Sequence, residues 1–255
     1  MVVQKRYGWL RDLPDQRDIP YLPPPALAGA LPARTDLRAG FQGVYNQGLL
    51  GSCTANAIAG SLQFLEAKEG ATVPVMPSRL FIYYNERVIE GTVRSDSGAQ
   101  LRDGIKSVAR DGFCPEPLWP YDVDRFEQRP SKRCYEVAVA ERVSRYLRLD
   151  QSPAALLSCL ASGFPFVFGF SVYESFESAR VGETGVVPMP RPAETMVGGH
   201  AVVGCGYDLE SRRFIVRNSW GSGWGMEGYF TMPFEYLLTP GLAADFWTIR
   251  QVPLN

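Results

Sequence analysis

Residues 46–57 read Asn-Gln-Gly-Leu-Leu-Gly-Ser-Cys-Thr-Ala-Asn-Ala, a turn-rich segment with two glycines that leads into a helix-forming run. Downstream of it, Ile58, Leu62 and Leu65 recur near the i, i+4, i+7 spacing that predicts a buried amphipathic helix. Cys53 therefore lies at a helix N-terminus, where unpaired N–H groups and the helix dipole lower a thiol pKa. Two interpretations follow: a reactive thiolate, or the buried structural cysteine that is the usual state of a free thiol.

Two later segments favour the first interpretation. Histidine occurs once in the 255 residues, as His200 in Val-Gly-Gly-His-Ala-Val-Val, so a histidine base for Cys53 can only be this residue. Residues 217–225 then read Arg-Asn-Ser-Trp-Gly-Ser-Gly-Trp-Gly. The order and spacing of Gln47, Cys53, His200 and Asn218 resemble the papain family of cysteine peptidases.

The resemblance implies a chemistry for each of these residues. Cys53 would attack the peptide carbonyl as a thiolate, and His200 would hold that thiolate and then protonate the leaving amine. Asn218 would orient the imidazole, which is the Cys-His-Asn variant of the catalytic triad. The Gln47 side chain and the Cys53 backbone N–H would stabilise the oxyanion.

The resemblance also implies a substrate cleft. Gly98 and Ala99 would offer backbone groups to a bound peptide, and Trp220 would shield the bond between the histidine and the asparagine. Leu101, Ala201 and the 166–170 strand would line an apolar pocket for the second substrate residue. Peptide preference, and the choice between endopeptidase and exopeptidase action, do not follow from the sequence.

Two residues depart from the family pattern. Thr54 stands where many members carry an aromatic residue, and Leu50 replaces the half-cystine of secreted members. Neither change removes a catalytic group. Two other classes of protein are alternatives: a non-catalytic binding protein on a peptidase-like scaffold, or a cysteine amidase or acyltransferase. The retained cysteine, histidine and glutamine argue against the first, and the upstream glutamine with the Asn-Ser-Trp-Gly segment argues against the second.

The composition limits the classes of partner that the chain is expected to bind. With 26 basic and 27 acidic residues the net charge is −1, so no broad field attracts nucleic acid or anionic lipid. No apolar run approaches the roughly 20 residues that span a bilayer. One histidine and no C-x-x-C pair leave little for a zinc site, and no cofactor is expected. We therefore predict a monomer whose partner is a peptide or protein substrate, with no nucleic-acid or membrane partner.

The pattern of elements predicts an α+β fold with two lobes and a cleft between them. A helical lobe would cover roughly residues 41–150, and a β-rich, barrel-like lobe roughly residues 151–255. Ahead of this 31–255 peptidase domain, the proline-rich residues 1–30 lack a helical or strand period. This arm would either occupy the cleft and inhibit the enzyme, or strap the outside of the β-rich lobe.

Cysteine usage and the first residues bear on the compartment. The opening Met-Val-Val-Gln-Lys-Arg lacks the apolar stretch of a secretory signal, which predicts a cytoplasmic protein or export without a Sec-type signal. All five cysteines are expected to be reduced, although Cys114 and Cys134 could pair.

Overall fold

The computed structural model describes residues 7–27 and 29–251, and there a helix-rich first half is followed by a strand-rich second half. The α-helices are α1 (Cys53–Lys68), α2 (Arg79–Glu90), α3 (Leu101–Arg110), α4 (Lys132–Ala138), α5 (Pro153–Ala161), α6 (Ala179–Thr184) and α7 (Phe234–Leu238). The strands are β1 (Trp9–Leu10), β2 (Arg34–Asp36), β3 (Ala99–Gln100), β4 (Arg145–Arg148), β5 (Phe166–Tyr173), β6 (Met196–Asp208), β7 (Arg213–Arg217), β8 (Tyr229–Pro233) and β9 (Ala243–Gln251). This is the α+β division that the sequence predicts.

Helix α1 lies at the centre of the molecule, packed against α2, α3 and strand β6. It begins at Cys53, as predicted, and is buried from Cys53 to Glu66. Its surface is therefore covered on all sides, which a one-sided amphipathic pattern does not anticipate. Small residues allow this close approach: a Cβ at Gly60 would lie only 2.6 Å from Nη1 of the buried Arg217.

Capping residues set the ends of two further helices. Ser78 Oγ accepts a hydrogen bond from the Phe81 N–H at 3.1 Å at the start of α2, and Gly91 ends that helix at φ 73°. Ser152 Oγ accepts from the Ala155 N–H at 3.2 Å at the start of α5. Each side-chain cap satisfies a backbone donor that the first helical turn leaves without a partner.

Seven of the nine strands form one antiparallel sheet in the order β4-β9-β5-β6-β7-β8, with β2 paired to β6, and β1 and β3 form a separate two-stranded parallel sheet. Within the described residues this order ends at β4 and β8, so the β-rich lobe is an open sheet that does not close into a barrel. The chain turns into α7 directly after β8, and α7 packs against β8 and β9. Strand β4 also joins this sheet ahead of residue 150, the expected end of the helical lobe. Of its two arginines, Arg145 is exposed, whereas Arg148 is partly buried and pairs with carboxylates.

Two apolar cores correspond to the two lobes. The first surrounds α1 and includes Ile58, Leu62 and Phe81. The second lies on the sheet, where Phe166, Phe168 and other aromatic residues pack together. None of the helices in the described part of the chain is long and apolar enough to cross a membrane.

The described part of the arm, residues 7–27, contacts both lobes. Strand β1 pairs in parallel with β3, which directly precedes α3. Farther along, the Tyr21 N–H donates to the Arg148 carbonyl at 2.7 Å, and the Arg148 N–H donates to the Ile19 carbonyl at 2.8 Å. The arm therefore crosses from the helical lobe to the edge strand of the sheet. Residues 1–6, 28 and 252–255 lie outside the described residues.

All five cysteines are thiols in the structure. Cys114 and Cys134 lie near one another: burial raises the pKa of Cys114, and the neighbouring Cys134 thiol raises it further. Cys134 Sγ also approaches Ser131 Oγ at 3.2 Å.

Candidate active site

The sheet brings His200 and Asn218 together. Strands β6 and β7 pair antiparallel, with Val203 opposite Arg217, so residues just outside that pair lie side by side. His200 Nε2 lies 2.8 Å from Asn218 Oδ1. The backbone N–H of Ser219 donates to the same oxygen at 2.8 Å, which identifies it as the amide carbonyl. Because a carbonyl oxygen only accepts, Nε2 carries a proton, and Nδ1 is the nitrogen that can exchange one.

Cys53 is the first residue of α1 and is fully buried. Burial raises the pKa of its thiol to about 12, although hydrogen bonds from the backbone of Ala201, Gly8 and Thr54 oppose the shift. The expectation of a lowered pKa is therefore wrong for this state of the chain. The helix N-terminus cannot offset the loss of water around the sulfur.

Trp220 covers the histidine. Its ring stacks on the His200 imidazole at a centroid distance of 5.0 Å and an interplanar angle of 24°. Trp224 meets Trp220 edge-on at 5.1 Å and packs against Phe176 and Phe230. The two tryptophans of the 217–225 segment thus differ: one lies on the imidazole, and the other fills the aromatic core behind it.

Gln47 is fixed by hydrogen bonds at both ends of its amide. Its Oε1 accepts from Ser219 Oγ at 2.6 Å, and its Nε2 donates to the Leu50 carbonyl at 2.9 Å. The backbone carbonyl of Gln47 accepts a hydrogen bond from Tyr121 Oη at 2.9 Å. Ser219 therefore donates hydrogen bonds to the side chains of both Asn218 and Gln47. Sequence reasoning missed this residue, although it lies inside the Asn-Ser-Trp-Gly segment.

An acid lies buried beside helix α1. Thr54, the residue that departs from the family pattern, donates from Oγ1 to Glu86 Oε1 at 2.7 Å. Burial raises the Glu86 pKa well above its ordinary value. A buried carboxyl at this place was not predicted, because Glu86 occupies one position of an otherwise ordinary helix.

The arm lies directly over Cys53. The Gly8 carbonyl accepts from the Ala99 N–H at 2.7 Å, and a Cβ at Gly98 would lie 2.1 Å from the Gly8 oxygen. Tyr7 meets the His200 ring edge-on at 5.8 Å. The wall residues named from the sequence, Gly98 and Ala99, thus contact the backbone of the chain's own arm.

Trp9 fills a slot next to this crossing point. Ideal Cβ atoms at Gly169 and Gly199 would lie 1.9 Å and 2.6 Å from atoms of Trp9, so both glycines leave room for it. Trp9 belongs to the same apolar cluster as two predicted pocket residues, Leu101 and Ala201. Of the predicted 166–170 strand, Gly169 lines the slot. The phenylalanines at 166, 168 and 170 belong to the other core.

The end of the slot is polar, whereas the sequence predicts an apolar pocket. Trp9 Nε1 donates to Asp245 Oδ2 at 3.1 Å, and the Asp12 N–H donates to the same oxygen at 2.8 Å. Asp245 is a non-glycine residue at positive φ, 59°. The Asp245 carboxylate therefore receives two donors from the arm.

Asp12 completes a charged cluster that holds the arm. It accepts from Trp247 Nε1 at 2.9 Å and from the Arg102 N–H at 3.1 Å. Arg148 bridges the two carboxylates, with Nη1 3.4 Å from Asp12 and Nη2 3.3 Å from Asp245. Burial and the neighbouring Asp245 raise the Asp12 pKa to about 6. Within the described residues, no group of three or more potential ligand side chains is arranged to hold a metal ion.

The sequence is similar to those of known cysteine proteases and their relatives. The family model described as papain family cysteine protease matches residues 31–237. The chain is 47% identical over 215 residues to an uncharacterized peptidase C1-like protein of Acanthamoeba polyphaga mimivirus, covering 81% of this chain and 69% of that protein. It is 28% identical over 196 residues to pro-cathepsin H of Bos taurus, covering 73% of this chain and 54% of that protein. The chain thus spans about half the length of this mammalian relative.

Solved structures agree with the fold. Xylellain, a cysteine protease from Xylella fastidiosa, is 44% identical and superposes with a TM-score of 0.92, covering 99% of this chain and 100% of that one. The proform of cathepsin B from Trypanosoma congolense superposes with a TM-score of 0.77, covering 96% of this chain and 87% of that one. At 17% identity this second match supports the fold alone.

Proposed function

The chain belongs to the papain family of cysteine proteases, and on that premise we propose that it hydrolyses peptide bonds through an acyl-enzyme on Cys53. The observation that carries this proposal is the 2.8 Å bond from His200 Nε2 to Asn218 Oδ1. It sets the tautomer in which Nδ1 acts as the acid and base. The neighbouring Ala201 backbone, which hydrogen bonds to the Cys53 sulfur, keeps this strand at the nucleophile.

The reaction proceeds in two halves. His200 Nδ1 takes the thiol proton, the Cys53 sulfur attacks the peptide carbonyl, and the oxyanion accepts hydrogen bonds from the Cys53 N–H and the Gln47 amide. His200 then gives its proton to the leaving amine as the C–N bond breaks, which leaves a thioester. Water attacks the thioester, His200 takes the proton of that water, and the thiol returns with release of the carboxylic acid.

In the second part of the proposal, the arm inhibits the enzyme in the form that the structure describes. Gly8 lies on the thiol, and Trp9 fills the neighbouring slot. The leaving amine of a substrate must lie beside His200, and the arm places Tyr7, the residue N-terminal to Gly8, at that side. A productive substrate would therefore run in the opposite direction to the arm. The arm occupies the cleft without presenting its own peptide bond for attack.

Covalent labelling tests the proposal. The full chain is incubated with an epoxysuccinyl peptide, and its intact mass is followed over time beside a Cys53→Ala variant. We expect one adduct on Cys53 in the wild type and none in the variant. Turnover of a dipeptidyl fluorogenic amide by the same samples separates the outcomes. A labelled chain without turnover would indicate a binding protein or an amidase. Absence of both in a Trp9→Ala variant, in which the arm no longer fills its slot, would overturn the proposal.

A further inference from the structure

Three basic side chains beside the cleft are bound by carboxylates of the arm. Arg102 Nε and Nη2 donate to the two oxygens of Asp18 at 3.0 and 2.6 Å. Arg148 Nη1 lies 3.3 Å from the same carboxylate, and Lys106 Nζ lies 3.1 Å from Asp15. Arg102 and Lys106 lie on α3 and Arg148 lies on β4, so the basic cluster (Arg102, Lys106 and Arg148) belongs to the body of the enzyme.

The fold arranges the basic cluster as a binding site for carboxylates. The Arg102 side chain is only 5% exposed, so its charge is removed from water and depends on the partners that it contacts. Its backbone N–H, in the first turn of α3, donates to Asp12 at 3.1 Å, which adds a helix N-terminus to the same anion site. A pocket of about 380 Å³ lies at this contact and is lined by both the arm and the enzyme, with Asp12, Asp18, Arg102 and Arg148 among its lining residues.

Departure of the arm would leave these cations without most of their partners. Arg102 would lose the bidentate Asp18 carboxylate, Lys106 would lose Asp15, and Arg148 would keep only Asp245. Because the arm also covers these cations, its departure would let water reach them, and a carboxylate from another chain could pair with them there. The open enzyme therefore presents a cationic site that carboxylates from another chain can fill.

The distance along the arm from Cys53 to the basic cluster shows which substrate residues would reach the cluster. Gly8 lies at Cys53, Tyr7 lies on the His200 side, and residues 9–18 lead away on the other side. Because the leaving amine lies toward His200, the amino-terminal part of a substrate follows the path of residues 9–18. Asp12 is four residues from Gly8 (12 − 8), so its carboxylate marks the fifth substrate residue before the scissile bond.

From this arrangement we propose that the basic cluster is an extended binding site for acidic peptide segments, which selects substrates with carboxylates from about the fifth residue before the cleaved bond. The proposal rests on the proposed peptidase function and names a substrate class for it. The ligand is a peptide because the arm fills the site with Asp12, Asp15 and Asp18, carboxylates three residues apart on one chain. Acidic segments would also compete with the arm, since both bind the same cations.

Paired substrates test the proposal. Two internally quenched peptides share one sequence around the scissile bond and differ only at positions five, eight and eleven before it, with Asp in one and Asn in the other. The ratio of kcat/KM values, Asp over Asn, is measured for the full-length wild type and for Lys106→Glu. Arg110→Gln is the matched control, because this cation lies on the same helix but pairs with Asp111.

We expect a ratio of about ten in the wild type, and a ratio at least about threefold lower in Lys106→Glu. Arg110→Gln should keep the wild-type ratio. Arm release affects both substrates equally, so it cancels in the ratio. A ratio near one in the wild type, or an equal loss in both variants, would overturn the proposal.

A second readout does not depend on turnover. Alkylation of Cys53 by iodoacetamide is timed in the presence of each peptide shortened to positions eleven to five before the scissile bond, because this segment displaces the arm without covering the thiol itself. The Asp peptide should accelerate alkylation, and the Asn peptide should not. If neither peptide is cleaved, the peptidase function fails, and this assay still decides the binding site: equal rates with both peptides would reject it.

Discussion

Two polar networks meet at the cleft, and they differ in charge. Asn218, Gln47 and Ser219 hold the proposed catalytic site through neutral amide and hydroxyl groups, with bonds of 2.6 to 2.9 Å. The arm is held mainly by charged groups, with Asp12 and Asp245 bridged by Arg148. Neutral hydrogen bonds do not respond to pH between 4 and 8, whereas carboxylates do. The difference suggests that the site stays assembled while the attachment of the arm varies with conditions.

The largest expected effect comes from removing the groups that the neutral network positions. Cys53→Ala should reduce kcat/KM by roughly 10⁵-fold or more, because no nucleophile remains. His200→Ala should be nearly as severe, since no second histidine exists. Steady-state assays on a fluorogenic amide check this, with circular dichroism to verify folding. Near wild-type activity in Cys53→Ala would contradict the mechanism.

Removing a residue of the neutral network that does not itself react should lower the activity less. Gln47→Ala removes one oxyanion donor, so kcat should fall by about 10²–10³-fold. KM should change little if Gln47 acts mainly in the transition state. Gln63→Ala is a useful control, because this buried glutamine contacts Tyr45 outside the site. An equal loss of activity in both variants would point to a packing role.

Weakening the charged network that holds the arm should raise the activity instead of lowering it. Trp9→Ala empties the slot and removes a donor from Asp245, so the arm should dissociate and kcat/KM should rise at least about tenfold. Leu22→Ala is the matched control, because Leu22 lies in the same arm with 78% of its surface exposed. Unchanged activity with lower thermal stability in Trp9→Ala would make the arm a structural strap.

The pH response should separate the two networks. Burial and Asp245 raise the Asp12 pKa from its ordinary 3.8 to about 6 in the docked arm, so the docked form binds the proton more tightly. This contribution to docking is fully present below about pH 4 and is lost as the pH rises through 6. Activity of the wild type relative to Trp9→Ala should therefore increase from pH 4 to 7, by up to about 10²-fold. Asp12→Asn should flatten the profile, and a ratio that falls with pH would refute this assignment.

Ionic strength should have the smallest effect. The Lys106 side chain is 35% exposed and pairs with Asp15, so salt screens this contact more than the buried ones. Wild-type activity should rise by about twofold between 0.05 and 0.5 M salt, and Trp9→Ala should not respond. A similar rise in both proteins would place the salt effect on the substrate instead.

The sequence predicts the parts of this molecule that have local signals. Helix α1 with Cys53 at its start and the α+β division both follow from patterns of residues close together in the sequence. The contact between His200 and Asn218 follows from a resemblance, since spacing alone does not bring two strands together.

The missed features depend on contacts between distant residues. The Asp12–Asp245 contact joins residues 233 positions apart, and strand β1 has two residues that pair only because the cleft holds them. Glu86 occupies an ordinary helical position, and only the packed fold reveals that it is buried. The raised pKa of Cys53 has the same origin, because no local pattern indicates that the arm covers the sulfur.

The most direct test of this account is the rate at which Cys53 reacts in the full chain. Wild type, Trp9→Ala and Leu22→Ala are treated with iodoacetamide at pH 7, and the modified residue is identified by mass spectrometry. We predict that Cys53 is alkylated at least about tenfold faster in Trp9→Ala, while Leu22→Ala matches the wild type. Equal rates in all three proteins would contradict the claim that the arm covers the nucleophile and keeps its thiol protonated.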